Sequence, residues 1–140
     1  MSNVEVVTID NQHYNAADLN ENAIAQLNNL RFVDAQIQLL TNQQALVATA
    51  KAAYTRVLAE NLPEKKAAAN KKNDVVTIDD SKYNIEDFNE QGRAQLANIQ
   101  FAEQELSRLQ NSQAVMQTAR MQYGRALAEE LKNVQPVQAQ

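Results

Sequence analysis

The chain contains one histidine, His13, and no cysteine. A lone imidazole could be a general base or a metal ligand. Without a thiol or a second histidine it completes no Ser/His/Asp or Cys/His nucleophile set. Sixty-nine residues further on, the matching position is Lys82. Such an exchange fits two solvated groups on an outer face better than a catalytic pair. The acids Asp10, Asp18 and Glu21, repeated as Asp79, Asp87 and Glu90, have the spacing of positions 1, 9 and 12 of a calcium loop. The rest of that loop is missing: Gln12 or Ser81 stands at position 3, Tyr14 or Tyr83 at position 5, and Asn15 or Asn84 where glycine is needed. Turn formation, helix entry and capping account for these acids. No phosphate-cradling glycine loop and no zinc-binding HExxH pair occurs. The sequence therefore predicts no catalytic residue, no metal and no cofactor, and a protein that is not an enzyme.

The basic residues carry little weight as a nucleic-acid site. Residues 1–62 hold three bases against six acids, residues 74–140 hold six against ten, and only residues 63–73 are net basic, through Lys65, Lys66, Lys71 and Lys72. A solvated lysine-bearing linker explains that run, and nucleic-acid binding is not expected. Lys51 in ATAKAAYTRVL and Arg120 in QTARMQYGRAL lie near Tyr54 and Tyr123. At helical spacing these read as seam aromatics flanked by solvated bases.

The elements that position these groups occur twice. Glu5–Leu62 aligns with Asp74–Leu131 without a gap, and 27 of the 58 positions are identical. The pattern is a tandem duplication, with repeat 1 at 1–62, a basic linker at 63–73, repeat 2 at 74–132 and a flexible tail at 133–140. Pro63 opens the linker and Pro136 lies in the tail, where neither continues a helix. Each copy opens with a β-branched run, VVTI, then a two-residue polar turn, Asp10-Asn11 or Asp79-Asp80, and a return to Tyr14 or Tyr83. That is a β-hairpin signature. It pairs Ile9 with Gln12, Thr8 with His13 and Val7 with Tyr14, and puts Val7, Ile9 and Tyr14 on one buried face.

Asn20-Glu21 and Asn89-Glu90 place a cap residue before an acid, so a helix is expected to start at each. From there to Leu62 neither Gly nor Pro intervenes. Leu30, Val33, Ile37, Leu40, Val47, Tyr54 and Leu58 follow alternating three- and four-residue steps, as do Ile99, Leu106, Leu109, Met116, Tyr123 and Leu127 in copy two. These thirteen residues form the expected helix seam and interaction surface. Gln44 and Gln113 interrupt it at equivalent positions, as a register-setting polar layer or a solvated notch. A break near Thr41-Asn42 and Asn111-Ser112, folding each helix into a helical hairpin, is the alternative to a continuous helix. The fold class is mainly α: two tandem β-hairpin plus long-helix repeats. A helix from Asn20 to Leu62 is about 63 Å long at ~1.5 Å per residue. The linker spans at most about 40 Å at ~3.6 Å per residue, so helices sharing one seam pair as an antiparallel coiled coil.

The pattern VTIDxxxYNxxDxNExxxAQL followed by QTARxxYxxAL resembles an uncharacterised family of small proteins of tailed phages and marine bacteria. Copy two is the closer match, with Gln117, Thr118, Ala119 and Arg120 intact where copy one has Ala48, Thr49, Ala50 and Lys51. The chain departs from the pattern by its doubling, and by Asp-Asn and Asp-Asp where Asp-Gly marks the turn. The resemblance implies a phage-encoded protein and supplies no catalytic residues.

No basic leader followed by an apolar stretch opens the chain, and no run approaches the ~18 apolar residues of a membrane span. The expectation is a protein without signal peptide or membrane partner, placed in a virion or the cytoplasm. Its function is expected to be structural or assembly-related, using coiled-coil helices and hairpin edges for protein-protein contacts with a partner or with itself as a homo-oligomer. A regulatory adaptor binding a host protein is the alternative. Self-association is expected because Phe32, Leu39, Leu46, Phe101 and Val115 lie off the main seam.

Overall fold

The computed structural model describes residues 5–137. Residues 1–4, and 138–140 of the expected tail, lie outside the described residues. Two long helices pack against each other, and two small antiparallel hairpins accompany them. The hairpins are β1 (Val6–Ile9) with β2 (Gln12–Asn15), and β3 (Val75–Ile78) with β4 (Ser81–Asn84). A short 3-10 turn, Ala16–Asp18 or Ile85–Asp87, leads from each hairpin to its helix. The helices are α1 (Glu21–Ala59) and α2 (Glu90–Glu130).

Hairpin register follows from turn chemistry. Asp10 and Asn11 have φ of 50° and 64°, and Asp79 and Asp80 have 50° and 65°. Two successive left-handed residues twist the chain in the sense the strands need, and Asp and Asn tolerate that region better than other side chains. The pairs are Ile9 with Gln12, Thr8 with His13 and Val7 with Tyr14. The second hairpin pairs Ile78 with Ser81, Thr77 with Lys82 and Val76 with Tyr83. Val7 and Tyr83 are buried, while Ile9, Tyr14, Val76 and Ile78 are half-buried on the same faces.

Both helices run unbroken through Thr41-Asn42 and Asn111-Ser112. The Thr41 hydroxyl donates back to the Ile37 carbonyl at 2.9 Å and so is satisfied inside the helix. Asn20 Oδ1 accepts the Ala23 amide at 2.8 Å, and Asn89 Oδ1 accepts that of Gly92 at 2.7 Å. Each takes up an amide that no helical carbonyl reaches. Asn20→Ala is expected to destabilise the protein by about 0.5–2 kcal/mol, read by urea denaturation, with Asn20→Ser, which keeps a capping oxygen, losing less.

The chain divides into two compact units, and the division cuts across the copies. One unit comprises Met1–Thr41 and Asn111–Gln140, and the other Asn42–Gln110. In the first, the opening half of α1 runs antiparallel to the closing half of α2, as Asn20 to Glu130 (2.8 Å) and Asp34 to Arg120 (2.6 Å) demonstrate. Leu127 is buried there with Val7, Leu19 and Ala23. In the second, the closing half of α1 meets the opening half of α2 through Asn61 to Asn89 (3.2 Å) and Lys51 to Glu103 (3.4 Å). Leu58, Tyr83 and Phe88 form its core.

The second core contains a compensated pair. Where the first unit buries Leu19 and Ala23, the second has Phe88 and Gly92 at the matching positions. A Cβ on Gly92 would stand 2.9 Å from Phe88 Cδ1 and 3.2 Å from the Asn61 carbonyl oxygen. Overpacking of about 1–3 kcal/mol should outweigh the ~1 kcal/mol that alanine contributes to a helix over glycine. Gly92→Ala is therefore expected to lower stability by about 1 kcal/mol. Combined with Phe88→Leu, which recreates the first unit's pair, the loss should fall below the sum of the single changes. A double-mutant cycle in urea measures the coupling.

Candidate functional site

The seam residues fall as follows. In the first unit Val33, Leu40 and Leu127 are buried, and Leu30, Ile37, Met116 and Tyr123 half-buried. In the second, Leu58 and Leu109 are buried, and Val47, Tyr54, Ile99 and Leu106 half-buried. Leu127 and Leu30 pack in the core of the first unit, and Leu58 and Ile99 in that of the second. Gln113 at the polar interruption donates to the Thr41 hydroxyl at 3.0 Å.

The Arg120 of the QTAR motif has a role that spacing alone did not reveal. Its Nε donates to Asp34 Oδ1 at 2.6 Å across the helix pair, and Lys51, the matching base, contacts Glu103. Asp34 and Glu103 are themselves equivalent positions that differ in residue but not in charge. That retained charge was the available signal. The Asp34 carboxylate, through its hydrogen bond and then its charge, holds the Arg120 guanidinium above its ordinary value, and Asp10 adds a smaller electrostatic contribution.

Lys65, Lys66 and Lys72 of the linker are exposed, while other groups of the linker and tail bond to the hairpins. The Ala67 amide donates to the Lys82 carbonyl (2.8 Å), Lys71 Nζ to Asn84 Oδ1 (2.5 Å) and Lys82 Nζ to the Ala69 carbonyl (3.0 Å). In the first unit the Val137 amide donates to the His13 carbonyl at 2.6 Å. Thus the outer edge of β4, and that of β2, accepts a hydrogen bond from the segment that follows a helix. An uncovered strand edge is a row of unmet hydrogen bonds, and a nearby tether is a physical reason for this placement. His13 is exposed, with Nδ1 3.0 Å from Thr8 Oγ1.

A cleft of about 970 Å³ lies in the first unit, lined by β1, by Gln12 and Tyr14 of β2, and by the two helices. Its walls are apolar at Leu27, Leu30, Met121 and Leu131 and charged at Asp10, Arg31, Asp34, Arg120, Arg125 and Lys132. Four bases against two acids make it net positive, on a chain whose net charge is −4. Among the described residues no three His, Asp or Glu side chains converge as a metal site would require. Asp10 sits in a turn, Asp18 in a 3-10 turn and Glu21 at the start of α1.

The family of unknown function DUF6447 matches residues 64–138, more than half of the chain. The chain belongs to the DUF6447 family. The DUF6447 match runs from the linker through α2 to the tail, so it includes the α2 wall of the cleft and not the β1 and α1 walls. No curated protein and no solved structure matches the chain. Among the described residues no helix is long and apolar enough to cross a membrane.

Proposed function

We propose that this DUF6447 protein is a non-enzymatic structural or assembly protein, a tandem duplicate whose helices pair as an antiparallel coiled coil, acting through contacts with other proteins and with copies of itself. A phage virion is the setting this reading favours, with the cytoplasm as the site of assembly. The observation that carries it is a second apolar stripe. Phe32, Leu39 and Leu46 stand seven residues apart on α1 and are 62%, 49% and 71% exposed. Residues 35–50 carry no charge. A surface of this kind is disfavoured in water unless something covers it.

A second copy fits the stripe by size. Three residues after each large side chain stands a small or short one: Ala35, Asn42 and Thr49. Antiparallel pairing with a second copy would set Phe32 opposite Thr49, Leu39 opposite Asn42 and Leu46 opposite Ala35, large against small throughout, with no charge to desolvate between positions 35 and 50. Purification with bound partners from the encoding organism, followed by mass spectrometry, tests the reading. Recovery of the chain with virion components is the expected result. A single stoichiometric host protein, with no self-association, would replace it with the regulatory-adaptor reading.

A further inference from the structure

From the cleft of the first unit we infer a docking site for an extended, acidic segment of a partner protein, which adds to the free edge of β1 and places its carboxylates on Arg31 and Arg125. The inference rests on the reading that hairpin edges make protein contacts, and specifies the chemistry of the contact.

With a two-residue turn, Ile9 with Gln12 and Val7 with Tyr14 are the pairs that exchange hydrogen bonds, so the amides and carbonyls of Val6 and Thr8 point away from β2. On β2 the corresponding outward carbonyl, that of His13, is taken by the Val137 amide. Among the described residues nothing takes the Val6 and Thr8 groups, and both residues are exposed. The cleft is lined by Val6 and Thr8 from one face of β1 and by Val7 and Ile9 from the other, and it continues under that inner face to Gln12 and Tyr14 of β2. A strand that contributes both faces to a wall presents its edge to it. An added strand would find there unpaired amides and carbonyls at the spacing it needs.

Charge selects the occupant. Arg120 is engaged by Asp34, and Lys132 by Glu129 at 3.0 Å. Arg31 and Arg125 line the same cleft with no ion pair among the described residues. Two uncommitted guanidiniums beside an open strand edge favour carboxylates, and Leu27, Leu30 and Met121 favour apolar side chains alternating with them.

Divergence between the copies supports a specialised cleft. Arg31 is replaced by Gln100 at the matching position, Met121 by Ala52 and Gly124 by Thr55. Gly124 lines the cleft, and a Cβ there would meet nothing within 4 Å, so its backbone forms open floor. The second unit, which holds both Thr55 and Gln100, lacks one guanidinium and has a side chain at that floor position.

The test uses the full chain, isotope-labelled, titrated with a capped heptapeptide alternating glutamate and valine and followed by NMR. Saturable shifts at the Val6 and Thr8 amides and at the Arg31 and Arg125 side chains are expected. Arg31→Gln and Arg125→Gln should each weaken binding about tenfold. N-methylation of alternate peptide amides should abolish binding, and a lysine-valine peptide should not bind. No saturable shift at millimolar peptide, shifts centred elsewhere, or equal binding of the lysine peptide would overturn the proposal. Solution mass is recorded on the same samples: a chain that self-associates but ignores the peptide overturns this proposal alone, whereas a strict monomer that binds it overturns the self-assembly reading.

Discussion

Phe88→Ala should lower stability by about 3–5 kcal/mol, toward the upper end of that range. Phe88 is 3% exposed and meets Tyr83 edge to face, with ring centroids 6.1 Å apart and planes at 68°. It also occupies the space above Gly92, which has no side chain to fill a void. Removing the ring therefore leaves a cavity with little means of collapse, and deprives the second hairpin of its main anchor. A two-stranded hairpin is marginal alone, so amide exchange at Val76 and Tyr83 should rise more than exchange at mid-helix. A loss below about 1 kcal/mol, measured by urea denaturation, would contradict this packing.

Leu127→Ala is the corresponding change in the first unit, with an expected loss of about 2–5 kcal/mol. Leu127 is 2% exposed and buried among Val7, Leu19 and Ala23, with Ile9, Tyr14 and Leu30 packed around them. It lies in α2, while Val7, Leu19 and Ala23 lie within the first 23 residues of the chain. The variant should consequently accelerate amide exchange at Val7 and Tyr14, more than a hundred residues away in sequence. An effect confined to the end of α2, with the first hairpin unchanged, would contradict a shared core.

Local features were legible because local physics dictates them. Asp10-Asn11 and Asp79-Asp80 define the turn, the turn defines the register, and the register defines which face holds Val7 and Tyr14. Asn20 and Asn89 announced the helix starts in the same way. The helical course of α1 from Leu30 to Leu58 could be read because helical periodicity is a property of one segment.

What the sequence did not disclose is non-local. Nothing near Arg120 in the chain points to Asp34, whose position depends on how the helices meet. The linker lysines look solvated because their composition is that of a linker, yet Lys71 finds Asn84 once β4 is in place. The cleft was missed for the same reason: its walls come from β1, α1 and α2, and Arg31 and Arg125 gain meaning only when the fold brings them to one concavity. Phe32, Leu39 and Leu46 did stand out, because residues at seven-residue spacing off the main seam have no place in a single helix pair.

Self-association through that stripe is the centre of the assembly reading, and solution mass tests it most directly. Light scattering from micromolar to millimolar concentration should give a mass rising from 15.6 kDa toward twice that value. Leu39→Glu combined with Leu46→Glu, at two exposed positions, should hold the mass at that of one chain while leaving helix content and melting temperature unchanged at low concentration. A wild-type protein that remains at 15.6 kDa across the whole range would contradict the account.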